Sequence, residues 1–131
     1  MASDDVSRRE AERLRGLAEA ARVDVTFEVI ADRGALWVWG DEYEILFTED
    51  ARRTTLLPIW PHATVARLEN EGEVDGEHAI RISIDVFLEE WLPQLKDDDA
   101  EIAIFPVEER HAAILTLEEF RSRITAALRL D

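Results

Sequence analysis

The sequence contains no cysteine. That excludes disulfides, thiolate nucleophiles and any zinc or iron–sulfur site ligated by cysteine. Glycine and proline are sparse, five and four among 131 residues, too few for a long flexible linker, so one domain is expected over residues 1–131. No apolar run approaches the roughly 20 residues that a membrane-spanning helix needs. Met1-Ala2-Ser3-Asp4-Asp5 is polar and acidic, where a secretory leader is basic and then apolar, so the expected location is the cytoplasm. Motifs of nucleotide, hydrolase and metalloprotease chemistry are also missing. There is no G-x-x-x-x-G-K-[ST], no G-x-G-x-x-G, no G-x-S-x-G and no H-E-x-x-H. His62, His78 and His111 stand apart in the chain, so neither a metal site nor a cofactor is expected.

What the chain has is acid. Thirty Asp and Glu face fifteen cations, for a net charge of −15. Only Lys96 among the cations is a lysine. Binding nucleic acid requires neutralising phosphates with a basic surface, and an anionic membrane makes the same demand, so neither is an expected partner. The acid is regional. Residues 36–109 carry nineteen acids against five bases, whereas the segments before and after are close to neutral. A solvated face accounts for such an excess; so does a surface that steers a basic protein into contact.

Periodicity and end signals place the elements. Ser7 and Glu10 form an S-x-x-E capping box before a helix over 6–20. Residues 22–32 fit both periods: Val23, Val25, Phe27 and Val29 alternate as in a strand, yet Val23, Phe27 and Ile30 share a helical face. Residues 35–39 and 43–48 read as a hairpin about Gly40-Asp41-Glu42. A short strand over 54–57 is ended by Pro58, and Pro61 opens a helix over 62–70. An acidic loop over 70–77 and a strand over 79–82 follow. Ser83 caps a helix with Ile84, Phe87, Leu88, Trp91, Leu92 and Leu95 on one face. Pro93 is expected to kink or end it. A strand over 100–105, another over 111–115 and a final helix opened by Thr116 and Glu119 complete the chain. Grouped strands with short links predict an α+β fold, an antiparallel or mixed sheet packed against several helices.

Ile30-Ala31-Asp32 with Trp37 five residues on, Pro58-Ile59-Trp60-Pro61-His62, and Phe87-Leu88-Glu89-Glu90-Trp91-Leu92-Pro93-Gln94-Leu95 followed by Phe105-Pro106 together resemble a family of small bacterial proteins, domain of unknown function 2750. The likeness leaves residues 1–20, the N-terminal helix, outside its best part. It departs from the family pattern at Val23, which follows Arg22 where an aromatic residue is common. The resemblance implies a helix over 22–32 and implies no activity.

Two candidate sites remain. Trp60 and His62 form a candidate pocket, because histidine titrates near neutral pH and a tryptophan can wall a cavity. Against this, Pro61 starting a helix and Trp60 packing in the core explain the same residues. Trp37, Trp39, Asp41, Glu42, Tyr43 and Glu44 form a candidate partner surface, aromatics rimmed by carboxylates. Adjacent pairs such as Glu89-Glu90 point about 100° apart on a helix and do not converge on one substrate. The leading expectation is a non-enzymatic module for a basic protein, with an inhibitor or immunity-type protein as one form. The alternative is a small-ligand protein or enzyme using Trp60 and His62.

Overall fold

The computed structural model describes residues 5–70, 76–108 and 113–129. His111, the start of the strand expected over 111–115 and most of the acidic loop lie outside these described residues. Helix α1 (Arg8–Arg15) opens where Ser7 Oγ accepts the Glu10 N–H at 3.1 Å. It stops at Gly16, so the helix expected over 6–20 is divided, and α2 (Glu19–Arg33) begins anew. Residues 22–32 are helical. Arg22, Val23, Thr26, Phe27 and Ile30 are buried on one face of α2, and the Thr26 hydroxyl donates to the Arg22 carbonyl at 2.8 Å. Gly34 ends α2 at φ 76°, a left-handed conformation in which glycine has no Cβ to clash.

Two sheets follow. One pairs β1 (Ala35–Gly40) with β4 (His78–Ser83), antiparallel. The other runs β2-β3-β5-β6, comprising Thr48–Glu49, Thr55–Ile59, Glu101–Ile104 and Ala113–Leu115, with β3 and β5 parallel and the outer pairs antiparallel. Helix α3 (Ala63–Asn70) follows β3, a helical run over Ile84–Asp97 follows β4, and α6 (Leu117–Arg129) closes the chain. Helices α2 and α6 pack on β5, with Phe27, Phe87 and Phe120 in ring contact among them at 5.3–5.4 Å. The architecture is therefore α+β, antiparallel and mixed sheets against helices. Each fully buried Phe, Leu or Ile here contributes about 1.5–3 kcal/mol.

The hairpin expected over 35–48 forms only at its tip. The Asp41 N–H donates to the Glu44 carbonyl at 2.9 Å and the Leu46 N–H to the Trp39 carbonyl at 2.7 Å, after which the chain peels away. β1 pairs instead over its full six residues with β4, which sets Ile82 against Leu36 and Ile80 against Val38. Gly40 is required by space: a Cβ there would sit 2.8 Å from Ile45 Cα. On its remaining side β1 is hydrogen-bonded to the end of β3 through one bridge among the described residues. Trp37 and Trp60 exchange both backbone hydrogen bonds, at 3.0 and 2.9 Å.

Both prolines expected to end elements are accommodated inside them. Strand β3 runs through Pro58. The Ile59 carbonyl accepts the Phe105 N–H, so residues 57 and 59 face β5 while Pro58 turns its nitrogen to the opposite side. That side is a gap: β2 pairs only as far as Leu56 and β1 joins at Trp60, so no strand among the described residues needs the missing N–H. Pro93 likewise does not end its helix. The run consists of α4 (Ile84–Val86), a π turn (Phe87–Trp91) and α5 (Leu92–Asp97). The Leu92 N–H bonds to the Phe87 carbonyl five residues back, widening the turn that the proline ring would otherwise crowd.

The β5 end is held under strain. Phe105, fully buried, has φ 48°, a region that bulky residues avoid. Three hydrogen bonds hold it there. Its N–H donates to Ile59; its carbonyl accepts Arg22 Nε at 3.2 Å; and the next carbonyl, Pro106, accepts the Trp60 indole N–H at 3.2 Å. Arg22 is 5% exposed, also donates to the Leu17 carbonyl at 2.7 Å, and lies 5.9 Å from the Phe105 ring centroid. Arg22→Met keeps the buried stem and leaves two carbonyls without their donor. It is expected to lower stability by about 1–3 kcal/mol, read from the urea midpoint; an unchanged midpoint would show that the strained turn holds itself.

Candidate functional site

Strand alternation carries Leu56, Pro58 and Trp60 to one face of the second sheet. There, with Ala103 and Ile114, they line a cleft of about 710 Å³. Trp60 is only 2% exposed and meets this cleft while packing in the core. Glu49, Asp50, Arg52 and Glu108 stand among its polar lining. Arg15 of α1 braces the rim, pairing with Glu69 and, at 2.9 Å, with Glu108. Nothing local in the sequence marks that bridge, since its members lie far apart in the chain.

His62 does not share the cleft. It is 4% exposed in the bend before α3, with its carbonyl accepting the Ala66 N–H. The residues expected to form one pocket are thus separated by the turn at Pro61. The start of α3 is capped from a distance. Asp5 accepts the Thr64 N–H at 2.9 Å and the Thr64 hydroxyl at 2.7 Å. Burial pushes the Asp5 carboxyl up, but these bonds, the Val6 N–H and the Arg67 charge outweigh it and hold it below its ordinary 3.8. Among the described residues no three His, Asp or Glu side chains converge to hold a metal ion, and no helix is long and apolar enough to cross a membrane.

The six residues of the candidate partner surface divide. Trp39 is 4% exposed, and its indole N–H donates to Glu77 at 3.2 Å. Trp37 is half-buried at the junction of the sheets. Both are frame residues, because β1 has α2 and α3 packed against it as well as its strand neighbours. The turn is different. One Asp41 carboxylate oxygen accepts the N–H groups of Tyr43 and Glu44, each at 2.8 Å. Those bonds, Glu44 first and then Tyr43, hold the Asp41 carboxyl low. The fixed turn projects Tyr43, 86% exposed, between the exposed Glu42 and Glu44.

A third feature had no local signature. Phe47, 42% exposed, forms a groove of about 350 Å³ with Glu90, Trp91, Gln94, Leu95 and Asp98. Helical periodicity assigns Trp91 to the buried stripe, and the structure leaves it half-buried. The π turn adds a residue to that part of the helix and rotates the stripe.

These features describe a small α+β domain with surface concavities and a projecting, acid-flanked turn. The chain belongs to the family described as Protein of unknown function (DUF2750), whose family model matches residues 23–124. No curated protein and no solved structure matches it. Helix α1 lies before the matched span, although it packs on α3 inside it.

The Asp5 cap has a signed pH dependence. Its carboxyl is lowered by folding, so the stabilisation is fully present above pH 3.8 and fades as pH falls through the lower folded value. Asp5→Ala is expected to lose about 1 kcal/mol at neutral pH, the usual worth of a helix cap. In urea titrations the difference from wild type should vanish at pH well below 3.8. A difference that persists in acid would mean the carboxylate is not what holds the segment.

Proposed function

We propose that the domain is a non-enzymatic binding module for a basic protein, acting in the cytoplasm, with a bacterial inhibitor or immunity-type protein that neutralises a basic toxin as one concrete form. The observation that carries this reading is the Tyr43 turn. A tyrosine presented by a turn already fixed by two hydrogen bonds gives up little freedom on binding, and tyrosine is a common interface anchor. Glu42 and Glu44 beside it suit a partner bearing arginine or lysine. The excess of acid over residues 36–109 extends that complementarity and favours rapid encounter at low salt.

A small-ligand site at Trp60 is the second reading. It is supported by the cleft of about 710 Å³ that Trp60 lines, and in it His62 has no direct part.

The first reading is tested by immobilising the full chain and identifying retained proteins by mass spectrometry at low and high salt. A basic partner should be retained at low salt and released as salt rises. Tyr43→Ala should weaken it about tenfold, and Glu42→Lys with Glu44→Lys should weaken it further. Retention that ignores both salt and these substitutions would contradict the reading.

A further inference from the structure

We infer that the Phe47–Trp91 groove is a receptor for an arginine side chain of the partner. This rests on the reading of the domain as a module for a basic protein. The groove differs from the two larger clefts in its charge. The cleft at Trp60 carries Arg52 beside its acids, and the cleft between α5 and α6 carries Lys96 and Arg121 beside Asp99, Glu101 and Glu118. The charged side chains lining the Phe47–Trp91 groove are carboxylates alone, Glu90 and Asp98. Neither has an ion pair among the described residues. Among the described residues the Asp98 carboxylate is approached by the Gln94 amide, at 3.4 Å.

The aromatic wall is already in place. Phe87 stacks on Trp91 with ring centroids 5.9 Å apart and planes 26° apart, which fixes the indole, and its exposed part opens on the groove. Leu95, 2% exposed, is the buried apolar residue of the lining. A cation over an indole is attracted by the ring's negative face. A guanidinium also stacks flat on it and donates two parallel N–H bonds to one carboxylate, which an ammonium does not do. Two unpaired carboxylates beside one fixed indole therefore suit arginine better than lysine. The π turn supports the assignment, because such turns recur at functional sites and this one produces the exposure of Trp91. Phe47 lies four residues beyond Tyr43 on the same segment, so a single partner that meets the turn is led along the chain toward the groove.

Hexa-arginine and hexa-lysine peptides titrated into the full chain, followed by the tryptophan indole N–H signals in NMR, test this. Hexa-arginine should bind about tenfold more tightly than hexa-lysine and move the Trp91 signal most. Glu90→Gln with Asp98→Asn, both exposed and so compatible with folding, should remove most of that preference. Glu42→Gln with Glu44→Gln makes the same change in charge and should leave the preference intact. Equal affinity for the two peptides, or an unmoved Trp91 signal, overturns the arginine receptor and leaves the module reading to its own test. An equal effect of the two double substitutions also overturns it, by reducing the binding to bulk charge.

Discussion

The two backbone hydrogen bonds between Trp37 and Trp60 join the sheets, and much of the structure depends on them. Through Trp37 they reach β1 and its six-residue pairing with β4. Through Trp60 they reach β3, and the indole of the same residue holds the Pro106 carbonyl at the strained end of β5. The gap beside Pro58 exists because, among the described residues, β1 hydrogen-bonds to this side only at Trp60, just beyond β3, while β2 pairs no further than Leu56. The cleft over Pro58 and Trp60 is the outer expression of that junction. Trp37, expected on a partner surface, and Trp60, expected to wall a pocket, are both tied by main-chain hydrogen bonds to the frame.

Elements defined by local rules were legible in the sequence. Thr116 and Glu119 make both bonds of a capping box, at 2.8 and 3.1 Å, and Ser83 Oγ accepts the Val86 N–H at 3.3 Å. Elements decided by competition between distant segments were not. The turn at residues 41–44 has the right chemistry for a hairpin, but its second arm offers β1 only a brief pairing, whereas β4 offers Ile80 and Ile82 over a full register. A proline breaks a strand only where a neighbour needs the N–H it lacks, and which side of Pro58 is open is a property of the whole sheet. The same holds for Pro93, where one widened turn lets the helical run continue past the proline.

The candidate sites follow that division. Asp41 fixing a turn and exposing Tyr43 is short-range chemistry, readable from the order of residues. Burial of Trp39 needs α2, α3 and β4 to be placed first, and the Phe47–Trp91 groove needs both the peeling of the hairpin arm and the π turn. Acidity acquires position only after folding. The exposed carboxylates flank aromatics that are held from behind, Tyr43 by its turn and Trp91 by Phe87. A rigid frame with projecting aromatics suits a surface that recognises more than charge.

Amide hydrogen exchange of the full chain, with and without hexa-arginine, tests this coupling of a rigid frame to a binding face most directly. The Trp37 and Trp60 amides should exchange only through global unfolding and be among the slowest in either state, while residues 43–47 and 90–98 slow on addition of peptide. Local opening at Trp37 or Trp60, or protection by peptide that bypasses both segments, would contradict it.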